Sequence, residues 1–419
     1  MTPLTKRFAL QQGLHWMIVG LIIPVLTLLF QAHGLNLAEI GIIMAVWVGT
    51  TAILEIPLGS VADHLGRRSI YLLSLLMNII GCTLLYFADS FEWLLMASVI
   101  LGASRAVYSG TLDAWFYDRF QQVATNSSYH AELAKVNIVV TFGLAIGCLI
   151  GGWLPDYTVN HYLADHQSLT GPAVFELNIF AIIAGNLLLF AVTLLLIDEV
   201  HIRSTTSLSF KLALRTSLKA MAVARQHSIL LPLMISSLLM GMTLSVVEHF
   251  WQPYLAGLLD EQQYTLSVFG VISALYFLMA ASSSGLSIYF LKWFEGSHRM
   301  LLLSSRLLAA VMLMALAMSD DLISFSLSYL AFFFLFTAGN NSESVLLNQN
   351  TLSDMRSTML SIHSFIITIG GMSSSLLFGY VSQQLSISIS WLICGCVLLL
   401  GCGLFLRMPN HIQAEPEQA

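Results

Sequence analysis

Apolar runs of about membrane-spanning length alternate with short polar segments along nearly the whole chain. Ser69 to Ala88 and Val136 to Pro155 each contain no charged residue. A hydrocarbon core of about 30 Å needs roughly 20 helical residues, which such runs supply. Ser357 to Leu406 carries no acid, Lys or Arg. At about 1.5 Å per residue it would make roughly 75 Å of helix, too long for one crossing. Ser382-Gln383-Gln384 marks the turn between two crossings. Taken together, the runs predict spans near 14–32, 37–60, 69–88, 93–115, 136–155, 176–197, 230–253, 266–290, 300–318, 322–345, 357–380 and 387–406. The first run, Leu14 to Phe30, is too long for a signal-peptide core and no small-residue cleavage site ends it. The expected fold is an all-α membrane protein with twelve transmembrane helices.

One long connection, Asp198 to about Ser228, divides the spans six and six. The expected organisation is a first six-helix half at 1–197, a linker at 198–229, a second six-helix half at 230–406 and a tail at 407–419. Asp156 to Glu176 is the longest of the odd-numbered connections and is expected to be irregular. Six plus six spans is the plan of transporters built from two related halves, with the site between them.

Charge gives the topology. Lys6, Arg7, Arg67, Arg68, Arg119, Lys135, Arg203, Lys211, Arg215, Lys219, Arg225, Lys292, Arg299, Arg356 and Arg407 all fall at the ends or even-numbered connections of this plan. The odd-numbered connections carry acids and histidines but no base. Lys/Arg bias marks the loops that stay inside, so both termini are expected in the cytoplasm, with the protein multi-pass in the cytoplasmic (inner) membrane. Within the linker, Lys211, Arg215 and Lys219 recur every fourth residue beside Phe210, Leu214, Leu218 and Met221. This pattern fits a basic amphipathic helix on membrane lipid, and equally a solvated linker whose charges serve topology.

Composition narrows the chemistry. Of the 419 residues, 57% are hydrophobic and only 10% charged, and with a net charge of −6 nothing suggests a nucleic-acid partner. The five cysteines (Cys82, Cys148, Cys394, Cys396, Cys402) lie within spans, with no disulfide framework and no metal-ligand spacing. No G-x-x-x-x-G-K-[ST], H-E-x-x-H or G-x-S-x-G occurs, so neither direct ATP drive nor hydrolysis has support. The expectation is a non-enzyme without catalytic residues, cofactor or metal, monomeric, whose partners are a small-molecule substrate, protons and lipid.

Gly59-Ser60-Val61-Ala62-Asp63-His64-Leu65-Gly66-Arg67-Arg68 joins spans two and three. It resembles the cytoplasmic signature of the major facilitator superfamily, G-x-x-x-D-[RK]-x-G-R-[RK], at Gly59, Asp63, Gly66, Arg67 and Arg68, with His64 departing from the usual base. Gly59 permits close helix approach. Asp63 can accept from a helix N-terminus. Gly66 permits the tight turn, and Asp118, just past span four, is the expected partner of Arg67. The resemblance implies that this cluster is a conformational latch. Span five carries Gly143, Gly147, Gly151 and Gly152 at helix-packing spacing. The pattern resembles the G-P-x-x-G-G signature of the superfamily's drug/proton antiporters, with Cys148 where proline is expected. Leu54-Glu55-Ile56-Pro57, Ser109-Gly110-Thr111-Leu112-Asp113-Ala114-Trp115 and Trp251-Gln252-Pro253-Tyr254 are similar to one bacterial exporter-like branch. The resemblance spans essentially the whole chain. It implies a major facilitator fold and a proton-coupled exporter of small amphiphilic compounds, drugs or metabolites. An uptake symporter or facilitator, and a non-transporting membrane sensor on the same fold, are the alternatives.

An ionisable residue inside a span is a functional candidate by default. Arg105 begins about 20 Å into span four by helical rise, where it holds an anionic group, tunes an acid or completes a structural ion pair. Asp113 is a proton site or part of the latch. Glu55 shares a helix face with Gly59 and Asp63 and is a proton carrier or a packing residue. Glu248, beside His249, Trp251 and Gln252, is a substrate contact or an interfacial anchor. Glu343, after Asn340, Asn341 and Ser342, is either a proton-loading carboxyl or a charge that meets water at the helix end. Arg306, about two turns into span nine, is expected to snorkel.

Overall fold

The first apolar run folds as two helices. In the structure, a computed structural model, α1 (Pro3–Gly20) starts at Thr2, whose side chain accepts from the Thr5 N–H. It ends ahead of Pro24, and α2 (Leu26–Ala32) completes the crossing. Proline has no backbone N–H to donate, so the helical ladder lapses there. The structure describes residues 1–123, 128–162, 171–198, 219–259, 265–352 and 355–409, and for 56–65, 162 and 357 the backbone alone.

After α2 come α3 (Leu37–Leu65), α4 (Arg67–Tyr86), α5 (Phe91–Tyr108), α6 (Thr111–Gln122) and α7 (Tyr129–Tyr162). A single 3₁₀ turn, Pro172–Phe175, leads into α8 (Glu176–Leu196). The remainder is α9 (Leu230–Leu259), α10 (Ser267–Trp293), α11 (His298–Ala317), α12 (Leu322–Ala338), α13 (Asn340–Gln349), α14 (Arg356–Gln384) and α15 (Ile387–Leu406). Among the described residues, 11 helical stretches are long and apolar enough to cross a membrane, and the broken α1–α2 pair supplies the twelfth crossing. Two further crossings are interrupted: α5 passes to α6 at Ser109–Gly110, with Gly110 at φ 66, and α12 passes to α13 at Gly339.

The connection expected to be irregular from Asp156 is helical as far as Tyr162. Trp153, Tyr157 and His161 sit one turn apart along α7 and stack with ring centroids 5.1 and 4.2 Å apart, which carries the helix past Pro155. The proposed amphipathic segment around Lys211 and Arg215 lies outside the described residues, which resume with helix at 219–226.

The chain divides into two compact units: residues 1–205 with 249–278, and residues 206–248 with 279–419. In the first unit α1 and α7 meet backbone to backbone. A Cβ added to Gly143, Gly147 or Gly151 would strike the carbonyl of Gly13, Met17 or Leu21 respectively. Small residues four apart allow this approach. The second unit repeats the device between α9 and α14, where a Cβ on Gly241 would strike the Ile367 carbonyl and one on Gly370 the Leu238 carbonyl.

Also in the first unit, the Gln252 amide donates to the Ile23 carbonyl at 2.6 Å, and Thr27 donates its hydroxyl to the Gln252 side-chain oxygen. Gln252 thus occupies a carbonyl in the gap between α1 and α2, where the ladder has lapsed. Gly152 meets Gly270 closely. Beside them the Asp156 carboxylate accepts from the N–H groups of Leu266 and Ser267, both at 2.8 Å, capping α10.

Candidate functional site

Gly339 ends α12, and α13 begins with Asn340, Asn341, Ser342 and Glu343. An acid in the first turn suits the positive end of a helix. Here that acid is almost wholly buried: Glu343 is 2% exposed and Arg306, from α11, is 0%. The Arg306 Nη2 lies 2.8 Å from Glu343 Oε2 and 2.8 Å from Asn340 Oδ1. Its Nη1 donates to the Phe336 carbonyl, and the guanidinium stands 4.5 Å from the centre of the Phe336 ring. Arg306 Nε has no hydrogen-bond partner among the described residues. Arg306 therefore does not snorkel. Its side chain reaches across to α12 and α13, because a fixed carboxylate and a carbonyl lie nearer than water.

Two residues that the sequence did not bring forward complete this cluster. His363, from α14, places Nε2 3.3 Å from Glu343 Oε1. It is the one histidine in the run 357–406, which has no Asp, Glu, Lys or Arg, and that was the available signal. Ser237, from α9, stands 2.7 Å from Glu343 Oε1 and 2.8 Å from the Leu233 carbonyl. A hydroxyl has one proton, so these two acceptors compete for it. Four helices thus converge on one carboxylate. Taking two charges out of water costs several kcal/mol per ion, and only such a full set of partners offsets it.

The first unit carries a more open arrangement. Arg105, in the last turn of α5, is exposed, and among the described residues no hydrogen bond or ion pair engages its guanidinium. Glu55, on α3, is also exposed and accepts from the Ser109 hydroxyl at 2.5 Å. Asp113 lies beyond the Ser109–Gly110 break, exposed in the first turn of α6, so it does not continue the Arg105 helix. Glu248 is half-buried on α9.

At the turn between α3 and α4, Gly66 adopts φ 93, a value L side chains rarely take. Arg67 Nη1 lies 2.5 Å from Asp118 Oδ2, with both side chains partly exposed. Arg68 Nη1 reaches the Ile197 carbonyl at 3.4 Å. Trp115 Nε1 donates to the Asp198 carbonyl at 2.9 Å, and Arg119 lies 3.5 Å from its carboxylate. Gly59 and the Asp63 side chain fall outside what is described.

The family model of the Major Facilitator Superfamily matches residues 8–355. The chain belongs to that superfamily. It is a multi-pass membrane transporter. It is 23% identical over 402 residues to YxaM of Bacillus subtilis (strain 168), described as an uncharacterized MFS-type transporter, covering 95% of this chain and 94% of that one. Among solved structures it is similar to the nucleoside transporter NupG, with a TM-score of 0.78 at 16% identity over 98% of this chain and 100% of that chain. It is also similar to a bacterial homolog of the human lysosomal transporter Spinster in an inward-facing, occupied conformation, with a TM-score of 0.74 at 14% identity over 99% and 98%. At such identities the likeness establishes the superfamily fold and not the substrate. The drug/proton antiporter branch has no counterpart among these relatives. Within this superfamily member, no group of three or more metal-ligating side chains occurs among the described residues.

Proposed function

We propose that this superfamily member is a proton-coupled secondary transporter in which Glu343 takes and releases the coupling proton, exporting small amphiphilic compounds. The carrying observation is the Ser237 hydroxyl, set between Glu343 Oε1 and the Leu233 carbonyl. When Glu343 is ionised, Ser237 donates to the carboxylate. When Glu343 is protonated, its own O–H donates to Ser237, which turns its proton to Leu233. Both protonation states are then hydrogen-bonded, so neither leaves a buried polar group stranded. Arg306 keeps Asn340 and the Phe336 carbonyl in either state. Protonation therefore frees it from Glu343 without orphaning the whole guanidinium. His363, partly exposed, is the neighbour through which a proton passes to the carboxylate.

The glycine row of α7, which resembles the antiporter signature, supports export. The contact of Arg67 with Asp118, beside the Gly66 turn, supports reading this corner as a conformational latch. Everted membrane vesicles with an acidified lumen test coupling and direction together. Wild type should accumulate a transported dye, and a protonophore should abolish this. Glu343→Gln should exchange substrate downhill yet fail to concentrate it. Undiminished accumulation by Glu343→Gln would remove Glu343 from the coupling path. Proton-driven uptake is the second reading, favoured by the likeness to the nucleoside transporter. It predicts accumulation in right-side-out vesicles with an acidic exterior instead.

A further inference from the structure

The first unit contains a buried polar relay that ends on an unused hydrogen-bond donor. Gln11, on α1, is fully buried. Its Oε1 accepts from Gln12 Nε2 at 3.0 Å, so its amino group faces the other way. That group donates to Thr193 Oγ1 at 3.3 Å. The Tyr71 hydroxyl lies 2.8 Å from His15 Nδ1, and with Tyr71 as the donor Nδ1 is the acceptor. An imidazole that accepts at Nδ1 carries its proton on Nε2. His15 is 6% exposed, and its Nε2 has no hydrogen-bond partner among the described residues. An unmet buried donor is costly, and a bound acceptor would satisfy it.

The surroundings of that donor are aromatic and close. Trp16 and Tyr108 present their rings to the imidazole nearly at right angles, with centroids 5.6 and 4.7 Å away. Such faces hold a flat ring by stacking or edge contact. Tyr108 stands three residues beyond Arg105 on α5, so the two share a helix face. Arg105 is exposed and without an ion-pair partner, within a crossing where an unpaired cation is costly. A guanidinium so placed fits a carboxylate or similar anion.

We propose that His15, Trp16, Tyr108 and Arg105 form a substrate-recognition subsite for a planar aromatic or heteroaromatic compound with a carbonyl or ring-nitrogen acceptor on one edge and an anionic group about one helical turn away. The His15 Nε2–H donates to the acceptor edge, Trp16 and Tyr108 hold the ring, and Arg105 pairs with the anion. This rests on the transporter reading and names the substrate class for it. With Tyr71 donating to Nδ1, the Nε2–H faces the ligand, so the subsite prefers acceptors to donors.

Titration calorimetry of the full-length protein in nanodiscs tests this with three probes: nalidixate, which is planar, carbonyl-bearing and anionic; 4-quinolone, which lacks the carboxylate; and cyclohexane carboxylate, which lacks the ring. Nalidixate should bind best. His15→Phe, which keeps an aromatic ring but not the donor, should weaken nalidixate by about tenfold, the loss of one hydrogen bond. Arg105→Gln should weaken nalidixate by a similar factor while leaving 4-quinolone unchanged. No binding of nalidixate to wild type up to about 1 mM overturns the assignment, as does unaltered binding in Arg105→Gln, an exposed position that carries little folding risk. Equilibrium binding needs no gradient. A protein that binds nalidixate yet ignores a pH gradient sinks the coupling reading alone. One that concentrates a dye but discriminates none of the three probes sinks this one alone.

Discussion

The crossing made by α5 and α6 and the crossing made by α12 and α13 are both broken near a glycine, yet they treat charge in opposite ways. At the second break Glu343 is enclosed by Arg306, His363, Ser237 and Asn340. At the first, Arg105 and Glu55 are exposed, and the acid beyond the break, Asp113, is exposed too. A closed charge cluster can change state only by moving a proton or breaking a pair. An open one can take up a ligand. On the function proposed above, the closed cluster suits the energy-coupling element and the open one the substrate.

The largest test of this contrast removes each arginine. Arg306→Met leaves the Glu343 carboxylate buried and uncompensated, and should destabilise the fold by about 3–5 kcal/mol. Arg105→Met should stay within about 0.5 kcal/mol, as at an exposed site with no partner to strand. Thermal unfolding in detergent, followed by fluorescence-detected size exclusion, measures both. Equal losses would erase the distinction. The double variant Arg306→Met with Glu343→Gln should recover stability, because neutral replacement of a buried pair is often neutral or stabilising by about 1–4 kcal/mol. It should still fail to concentrate substrate.

The glycine seams sharpen the comparison from the side where the units agree. Gly147→Val and Gly241→Val each drive a side chain into a facing carbonyl, and each should cost about 1–3 kcal/mol or more. Gly285, on α10, has nothing within 4 Å of an added Cβ, and Gly285→Ala should gain up to about 1 kcal/mol of helix stability. A similar response at all three positions would mean that the seams do not set packing.

The smallest effect concerns two helix caps. Asn36 caps α3 and Asp321 caps α12, each in a reciprocal box. Hydrogen bonds from the Ser324 backbone N–H, the Ser324 hydroxyl and the Ile323 N–H hold the Asp321 carboxyl below the usual range for Asp. Its folded pKa is therefore depressed, and its contribution is present above about pH 4 and lost as pH falls through the folded value. The amide of Asn36 does not titrate. Acid should therefore narrow the stability difference between wild type and Asp321→Asn. A gap that widens with acid would contradict the cap assignment.

Most of the fold was legible because helices long enough to cross a membrane need contiguous apolar residues, and the chain has them. The breaks were less legible. Ser109-Gly110 and Gly339 sit inside apolar runs, and a run gives no notice of a lapse in the hydrogen-bond ladder. The candidate site was legible one residue at a time. Glu343 and Arg105 stood out as charges in apolar surroundings. The grouping around Glu343 did not, because Arg306, His363 and Ser237 come from segments far apart in sequence. Counting turns from one helix end made Arg306 look able to reach water. Only packing against α12 and α13 reveals that a carboxylate is nearer.

The contact of α1 with α7 has a mechanical consequence. Gly13, Gly143, Gly147 and Gly151 bring two backbones together with no side chains between them to act as bearings. Sliding or rolling either helix by a fraction of a turn would push a Cβ or a carbonyl into its opposite number. The pair therefore behaves as one stiff strut. Whatever bending this unit performs is concentrated at short joints such as Leu21–Val25 and Ser109–Gly110, so the bundle is geared, with rigid arms and few hinges, rather than evenly pliant.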